Sequence, residues 1–297
     1  MNKYLHFSVV FKASNLNYGE GVGNILALKK ITSEGKQFSY ISRQALRYDI
    51  VRMLEEFYGF RRADVSKEAG VIQFAEDATI RDFPELDFFG YMKTQTNKIR
   101  KAVVRLTDAV SLEPFNNELE FATNKGLADR IPGNVGNDIF QSEIHRSYYC
   151  YSLTCNLEEV GVDGNYGISL ELSERSKRVK SLLDVVRLLY RDIRGKRENL
   201  SPIFVIGGLY DVGNPFFYNR IKLHFTRDKV LINEGLINST LNIKTLKGKV
   251  SDYTFLGYVD GEFSNIDAIG LPDDRKLSVE DFFEKIKDEV DKFYASG

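Results

Sequence analysis

The chain has 297 residues, 43% of them hydrophobic and 28% charged, with a formal net charge of −1. This composition belongs to a folded protein of one or two domains, and the near-zero total excludes a surface that is basic throughout. Six prolines, no low-complexity tract and no apolar run approaching the ~20 residues of a membrane span exclude fibrous and helix-spanning classes.

Residues 4–13, YLHFSVVFKA, are aromatic and β-branched and predict a strand, entered directly from Met1 without the apolar core of a signal peptide. A cytoplasmic protein is expected. Residues 14–24 form a polar, Gly-rich loop, and 25–40 suit a short hairpin. Ser42 opens a helix to about Tyr58, with Leu46, Ile50, Met53, Leu54 and Phe57 as its buried stripe. Residues 59–90 are irregular, with Gly59, Gly70, Pro84 and Gly90, and read as an insertion. Residues 102–112 predict one buried strand. The polar, Asn- and Gly-rich stretch from Glu113 to Asp138 is long for a loop in a compact domain. Residues 143–156 predict a strand and 174–194 a helix with Val179, Leu182, Leu183, Val186, Leu189 and Tyr190 inward. Strands follow at 203–209 and 220–225, and an amphipathic helix capped by Ser278 closes the chain near Tyr294.

The major elements give the fold class: α+β, in the order β-α-β-β-α-β of ferredoxin-like and RNA-recognition folds. Such a fold offers an open antiparallel sheet face of the kind used for single-stranded RNA. The predicted division is 1–58 and 91–112 as parts of that core, 59–90 and 113–140 as insertions, and 141–297 as the rest of the core with the C-terminal helix.

Charge is unevenly spread. Residues 88–107 contain no carboxylate, yet carry Lys93, Lys98, Arg100, Lys101 and Arg105; a second basic stretch runs from Arg175 to Arg197. Residues 273–292 hold eight carboxylates against five basic groups. In Ile41–Arg47, ISRQALR, the Ser42 cap leaves first-turn amides pointing outward, which attracts phosphate. Arg43 and Arg47 lie one turn apart with Gln44 beside them, a pattern that suits a nucleic-acid backbone but on helix chemistry alone more often marks solvated surface arginines. Of Tyr148, Tyr149 and Tyr151, the alternation puts Tyr149 and Tyr151 on one face, where packing is expected over base stacking.

The run Gly19-Glu20-Gly21-Val22-Gly23 lacks the spacing of a dinucleotide loop, and no Gly-Lys-Ser/Thr follows. Cys150 and Cys155, five apart in one strand, face opposite sides and cannot easily bridge. No Cys/His cluster has metal-ligand spacing, so no metal and no cofactor are expected.

The order of these motifs resembles the Cas-seven family of the RAMP superfamily, the repeated backbone subunit of type I CRISPR surveillance complexes (Cascade), and most closely its DevR branch, associated with type I-B. Four features carry the resemblance. The first strand runs into Ser14-Asn15-Leu16-Asn17. Ile41–Arg47 is similar to the family's Ile-Ser-x-Gln-x-Leu-Lys/Arg helix start. Asp87-Phe88-Phe89-Gly90-Tyr91-Met92, followed by the apolar strand 102–111, is similar to its Asp-x-Phe-Gly-x-Met segment. Glu143–Thr154 resembles the aromatic strand that returns after the family's thumb. The match is looser beyond residue 155, and Tyr91 stands where another branch has an arginine.

The resemblance implies a non-catalytic, crRNA-binding subunit with a modified RNA-recognition palm, a web or finger at 59–90 and a thumb at 113–140. It implies copies stacked in a helical filament along the crRNA, with the target DNA strand and other Cascade subunits as further partners and no membrane. Ser42, Arg43, Gln44 and Arg47 are the first choice for RNA contacts, then Asn15, Asn17, Lys98, Lys101 and Arg105. Base pairing rather than side chains would then read sequence. Three alternatives stay open. A guide-processing endoribonuclease of the same fold class would use His6, His145 or His224 as acid–base, although the C-terminus lacks the Gly-rich loop of that family. A type III backbone would cleave through a thumb aspartate, with Asp129 and Asp138 as candidates. A stand-alone RNA-binding regulator would not multimerise.

Overall fold

The computed structural model describes residues 3–19, 21, 23, 25–68, 70–133, 136 and 138–296. Glu20, Val22 and Asn24 of the first loop, and Asn134 and Asn137 of the expected thumb, lie outside the described residues. The alternation at the start becomes β1 (Tyr4–Ser14), whose Leu5, Phe7, Val9 and Phe11 point to one side and are fully buried. After β2 (Ile25–Leu26), the expected hairpin forms from β3 (Lys30–Ser33) and β4 (Lys36–Ile41), turning at Glu34-Gly35, both at positive φ. Ser42 caps α1 (Arg43–Tyr58), its Oγ accepting from the Ala45 amide, and Gly59 ends the helix in the left-handed conformation. Leu46, Ile50, Met53 and Leu54 are buried as expected, but Phe57, at the far edge of the stripe, is 46% exposed.

Residues 59–90 contain regular structure, contrary to expectation: a hairpin of β5 (Val65–Glu68) and β6 (Val71–Phe74), then α2 (Pro84–Phe89). A second hairpin, β7 (Tyr91–Lys93) with β8 (Lys98–Arg100), packs beside them around Ile80, Phe83, Leu86 and Tyr91. The single strand expected at 102–112 is two, β9 (Val104–Leu106) and β10 (Ala109–Ser111), because Thr107 and Asp108 leave the ladder to bond Ser152 and the start of α1. The polar stretch from 113 is a hairpin rather than a loop: β11 (Glu118–Thr123), a turn of helix α3 (Lys125–Ala128) and β12 (Ile139–Ile144), with β2 as third strand.

β13 (Arg146–Asn156) follows, then the small pair β14 (Val162–Asp163) and β15 (Ile168–Ser169). α4 covers Leu172–Arg187, shorter than expected, since Tyr190 already belongs to a hairpin of β16 (Tyr190–Ile193) and β17 (Lys196–Asn199) turned by Arg194-Gly195 at positive φ. β18 (Phe204–Tyr210) runs straight through Gly207 and Gly208, where a Cβ would lie 2.2 Å from the His6 carbonyl and 1.8 Å from the Tyr253 carbonyl. β19 (Leu223–Phe225) pairs with β20 (Val230–Ile232); α5 (Glu234–Leu241), β21 (Thr254–Tyr258), β22 (Lys276–Ser278) and α6 (Val279–Ala295) complete the chain.

The main sheet is mixed, ordered β22-β21-β18-β1-β13-β10-β4-β3 with β9 also on β13. β21 and β22 run parallel, whereas β18, β1, β13, β10 and β4 alternate in direction. α1, α4 and α6 cover one face over Phe7, Phe11, Tyr149, Tyr151, Val186, Phe282 and Phe283. Each such fully buried side chain contributes roughly 1.5–3 kcal/mol. Tyr149 and Tyr151 therefore pack, as their alternation suggested. The opposite face is not open. Segments between residues 211 and 271 fold back over it, burying Val10, Tyr148, Phe204, Ile206, Tyr210 and Leu256 of the sheet under Phe217, Ile237 and Phe263. Base stacking across the bare sheet centre is thereby excluded. Cys150 and Cys155 are free thiols on opposite faces.

Candidate nucleic-acid interface

α1 and β9 lie side by side, and their exposed cations meet. Arg43, Gln44 and Arg47 from the first turns of α1 face Lys101, Ala102, Val104 and Arg105 across a groove of about 730 Å³, floored by Phe89 and Leu106. Arg43, Gln44, Lys101 and Arg105 are exposed. The Arg47 guanidinium donates to Glu85 Oε1 at 2.9 Å and lies 4.9 Å from the centre of the Phe89 ring. Arg105 Nε donates to the Ala102 carbonyl at 3.3 Å, which leaves its outer nitrogens toward solvent. Sequence spacing joins the α1 residues to one another; the fold adds Lys101 and Arg105.

The helix start is partly occupied already. Asp108 accepts from the Arg43 amide at 2.7 Å, and Ser42 Oγ takes the Ala45 amide at 3.4 Å. A phosphate in the groove would rely on the side chains more than on the helix amides.

Asn15 and Asn17 stand elsewhere. They are 6% and 8% exposed, and their side chains serve the protein itself, so the expectation that they reach RNA gives way to a structural role. Asn15, at φ +55°, accepts from the His145 amide at 3.0 Å; Asn17 Nδ2 donates to Ser42 Oγ at 3.3 Å. Lys98 sits on β8, outside the groove, 3.7 Å above the Tyr166 ring. Its basic neighbours Lys93 and Arg100 are structural. Lys93 is fully buried and donates to the Glu76 carbonyl at 3.0 Å, to the Ala78 carbonyl and to Tyr166 Oη at 2.9 Å.

Arg100 reaches Asp87 Oδ1 at 2.7 Å, while Arg178 takes Asp87 Oδ2 at 3.0 Å. The Gly161 amide adds bonds to both oxygens, at 2.9 and 3.0 Å. Asp87 is thus a buried tie between α2, β8 and α4. Gly90, at φ +71°, has room for no Cβ: one would lie 2.3 Å from the Arg100 carbonyl. The Asp-Phe-Phe-Gly segment is an architectural motif. Tyr91 joins it through a 2.7 Å bond from its hydroxyl to Asp163 Oδ2.

The root of the β11–β12 hairpin is held at several points. Glu143 accepts from the Leu28 amide at 2.7 Å and from Lys30 Nζ at 2.5 Å. The Phe115 ring meets His145 edge-on at 5.5 Å. Beyond the root, Leu119, Phe121 and Ile139 share one face of the hairpin and are 45%, 60% and 49% exposed, with Leu127 and Ile131 exposed beyond them.

The histidines are packed or peripheral. His6 is fully buried, with Nδ1 on the Leu153 carbonyl at 3.1 Å, and burial lowers its pKa to about 4. His145 Nδ1 meets Ser39 Oγ at 2.7 Å, a pairing of residues 106 apart that spacing could not reveal. Burial lowers this imidazole also, and Ser39 is 2% exposed with its hydroxyl also on Tyr149 Oη. Ser39 is enclosed, while His145 also lines a cleft with Glu113 and Arg146. His224 is exposed beside Asn233 at 3.2 Å. In the hairpin, Asp138 and Asn124 bond each other reciprocally at 2.7 and 2.9 Å, and Asp129 caps the C-terminus of α3. Among the described residues no His/Cys/Asp/Glu group has metal-site geometry, and no helix is long and apolar enough to cross a membrane.

Comparison with known proteins adds three findings. Residues 5–230 match the model of a family described as CRISPR-associated negative auto-regulator DevR/Csa2. The CRISPR-associated protein Cas7/Cst2/DevR of Myxococcus xanthus (strain DK1622) is 24% identical over 164 residues, spanning 49% of this chain and only 54% of that relative. Two solved structures match over 99% of both chains. One is titled a CRISPR RNA-guided surveillance complex (TM-score 0.57, 12% identity), the other the same type of complex in a pre-nicking state (TM-score 0.59, 11% identity). At such low identity the two structures speak for the fold alone.

Proposed function

The chain belongs to the DevR/Csa2 family of CRISPR-associated proteins, and on that premise we propose that it is a backbone subunit of a type I surveillance complex, of the I-B kind, which binds crRNA without catalysis. Copies assemble along the guide in a helical filament, leaving its bases to pair with a target DNA strand, and other Cascade subunits complete the particle in the cytoplasm.

The observation that carries this reading is the groove between α1 and β9. Arg43, Gln44, Arg47, Lys101 and Arg105 converge there from two segments, above an apolar floor of Phe89 and Leu106. That is the character of a backbone contact, where charge gives affinity and carries no sequence information. Ser42, Asn15 and Asn17 act indirectly by holding the start of α1 and its neighbouring loop. Lys98 extends the basic edge beyond the groove.

The strand order β18-β1-β13-β10, with α1 and α4 on one face, supports a ferredoxin-like palm made of residues 1–58, 91–112 and 141–297. Residues 59–90 serve as web or finger. Residues 113–140 serve as thumb, whose apolar face of Leu119, Phe121 and Ile139 suits contact with the next copy.

The test is a salt titration of guide-RNA binding. The slope of log affinity against log salt falls by about 0.7 for every phosphate a variant no longer neutralises, so Arg43→Ala/Arg47→Ala should flatten it by about 1.4. An unchanged slope would refute the groove as the site. Cleavage of the RNA by the wild-type chain would refute the non-catalytic role.

A further inference from the structure

A second basic surface lies across the sheet from α1. Residues 218–229 carry four cations, Arg220, Lys222, Arg227 and Lys229, against one carboxylate, Asp228. The fold sets them on and beside the β19–β20 hairpin, all exposed. Leu223 and Val230 anchor that hairpin to the second core, on the face that α1 does not cover. Lys222 makes one long contact, 3.8 Å to the exposed Glu34. Among the described residues, Arg220, Arg227, Lys229 and nearby Arg146 have no carboxylate within ion-pair distance.

An aromatic ring sits among these charges. Phe225 is 45% exposed, its ring 5.8 Å from that of Tyr148. With Leu223 and the exposed Arg146 it lines a cleft of about 590 Å³ at the root of the β11–β12 hairpin. Glu113 and Glu118 line the same cleft, and Glu113 is held by Ser147 Oγ at 2.9 Å. Neither folding nor the α1 groove uses the outer face of Phe225 or its unpaired cations. Single-stranded nucleic acid matches both features, because its phosphates meet free cations and any base can stack on an aromatic face.

We propose that the β19–β20 hairpin, with Phe225 as stacking platform and Arg146, Arg220, Arg227 and Lys229 as phosphate contacts, is a second binding site for a single strand of nucleic acid. The inference rests on the proposed function only for the source of that strand, which is either guide RNA outside the α1 groove or DNA displaced when the guide pairs.

The experiment measures fluorescence anisotropy of an oligothymidylate added to the guide-saturated assembly, and in parallel the affinity of the chain for guide RNA. The variants are Phe225→Leu, which keeps apolar packing but removes the ring, and Arg227→Ala/Lys229→Ala; their urea unfolding midpoints should match wild type. A displaced-strand site predicts oligothymidylate binding weakened about tenfold by Phe225→Leu. The double variant should reduce its salt slope by about 1.4, at about 0.7 per phosphate, with guide affinity unchanged. A guide-strand site predicts the same losses in guide affinity instead. If neither ligand senses either variant, or polyglutamate competes while Phe225→Leu changes nothing, the site is not one for nucleic acid. Should the wild-type chain fail to assemble on RNA at all, the proposed function falls separately. Oligothymidylate binding to the RNA-free chain, with the same variants, then decides the hairpin by itself.

Discussion

Asp108 accepts a 2.7 Å hydrogen bond from the backbone amide of Arg43, so the positive end of α1 meets a carboxylate supplied by the break between β9 and β10. This stabilises the helix start, by about 0.3–1 kcal/mol for such charge–dipole contacts. It also places a negative charge beside the groove proposed to hold phosphate. Asp108→Asn keeps an oxygen acceptor and removes the charge. Guide-RNA affinity should rise a few-fold at low salt, with the gain fading at high salt, as measured by filter binding. A drop in affinity in the correctly folded variant would place the RNA elsewhere.

Asp87 makes a different demand. Its two arginine partners, Arg100 and Arg178, are 9% and 3% exposed; removing the carboxylate leaves Arg100 with no carboxylate partner in the interior and Arg178 with Glu174 alone. Asp87→Ala should lower the unfolding free energy by about 3–5 kcal/mol, read from urea denaturation. The chain should fail to assemble for lack of fold rather than for lack of RNA contacts.

How far these roles can be read from sequence depends on how local they are. The stripe Leu46, Ile50, Met53 and Leu54 is legible because helical spacing is a property of the segment itself, and Ser42 announces its own cap. Lys93, Lys98, Arg100, Lys101 and Arg105 look alike in sequence, yet two hold internal partners, one stacks on Tyr166 and two face the groove. What separates them is partners 13 to 73 residues away, such as Asp87 and Tyr166. The β11–β12 hairpin is hard to see in the sequence because its strands leave Leu119, Phe121 and Ile139 exposed. Without one buried face, the alternation of a strand is hidden among Asn and Gly. The cover on the second sheet face is assembled from loops and short elements between 211 and 275, whose apolar residues have no period to read.

That exposed hairpin face yields its own prediction. Phe121→Asp removes an apolar side chain that, among the described residues, belongs to none of the three cores, so the monomer's unfolding midpoint should be unchanged. If the face docks on a neighbouring copy, the charge should weaken RNA-dependent self-association at least ~30-fold, the scale of a hot spot worth about 2 kcal/mol, in sedimentation velocity. Full assembly by the variant would overturn a docking role for this face.

Buried histidine links stability to pH. His6 titrates near 4 in the folded chain because burial disfavours the imidazolium, whereas the unfolded chain titrates near 6.5. Above 6.5 neither state holds the proton and stability is full. As pH falls from 6.5 toward 4 only the unfolded state is protonated, and stability declines. At about 1.36 kcal/mol per pH unit, the decline between pH 7 and pH 5 is roughly 2 kcal/mol. His145, also lowered, adds in the same direction. Urea unfolding at the two pH values checks this, and His6→Gln should remove its share of the difference.

If the chain polymerises on a guide RNA through the α1 groove, its oligomeric state must follow the guide. Size-exclusion chromatography of the chain co-expressed with a guide RNA tests it most directly, alongside Arg43→Ala/Arg47→Ala. RNA-containing oligomers whose size grows with guide length are expected, reduced to monomers in the double variant. A wild-type chain that elutes as a monomer free of RNA, or that shortens the guide, would contradict such polymerisation.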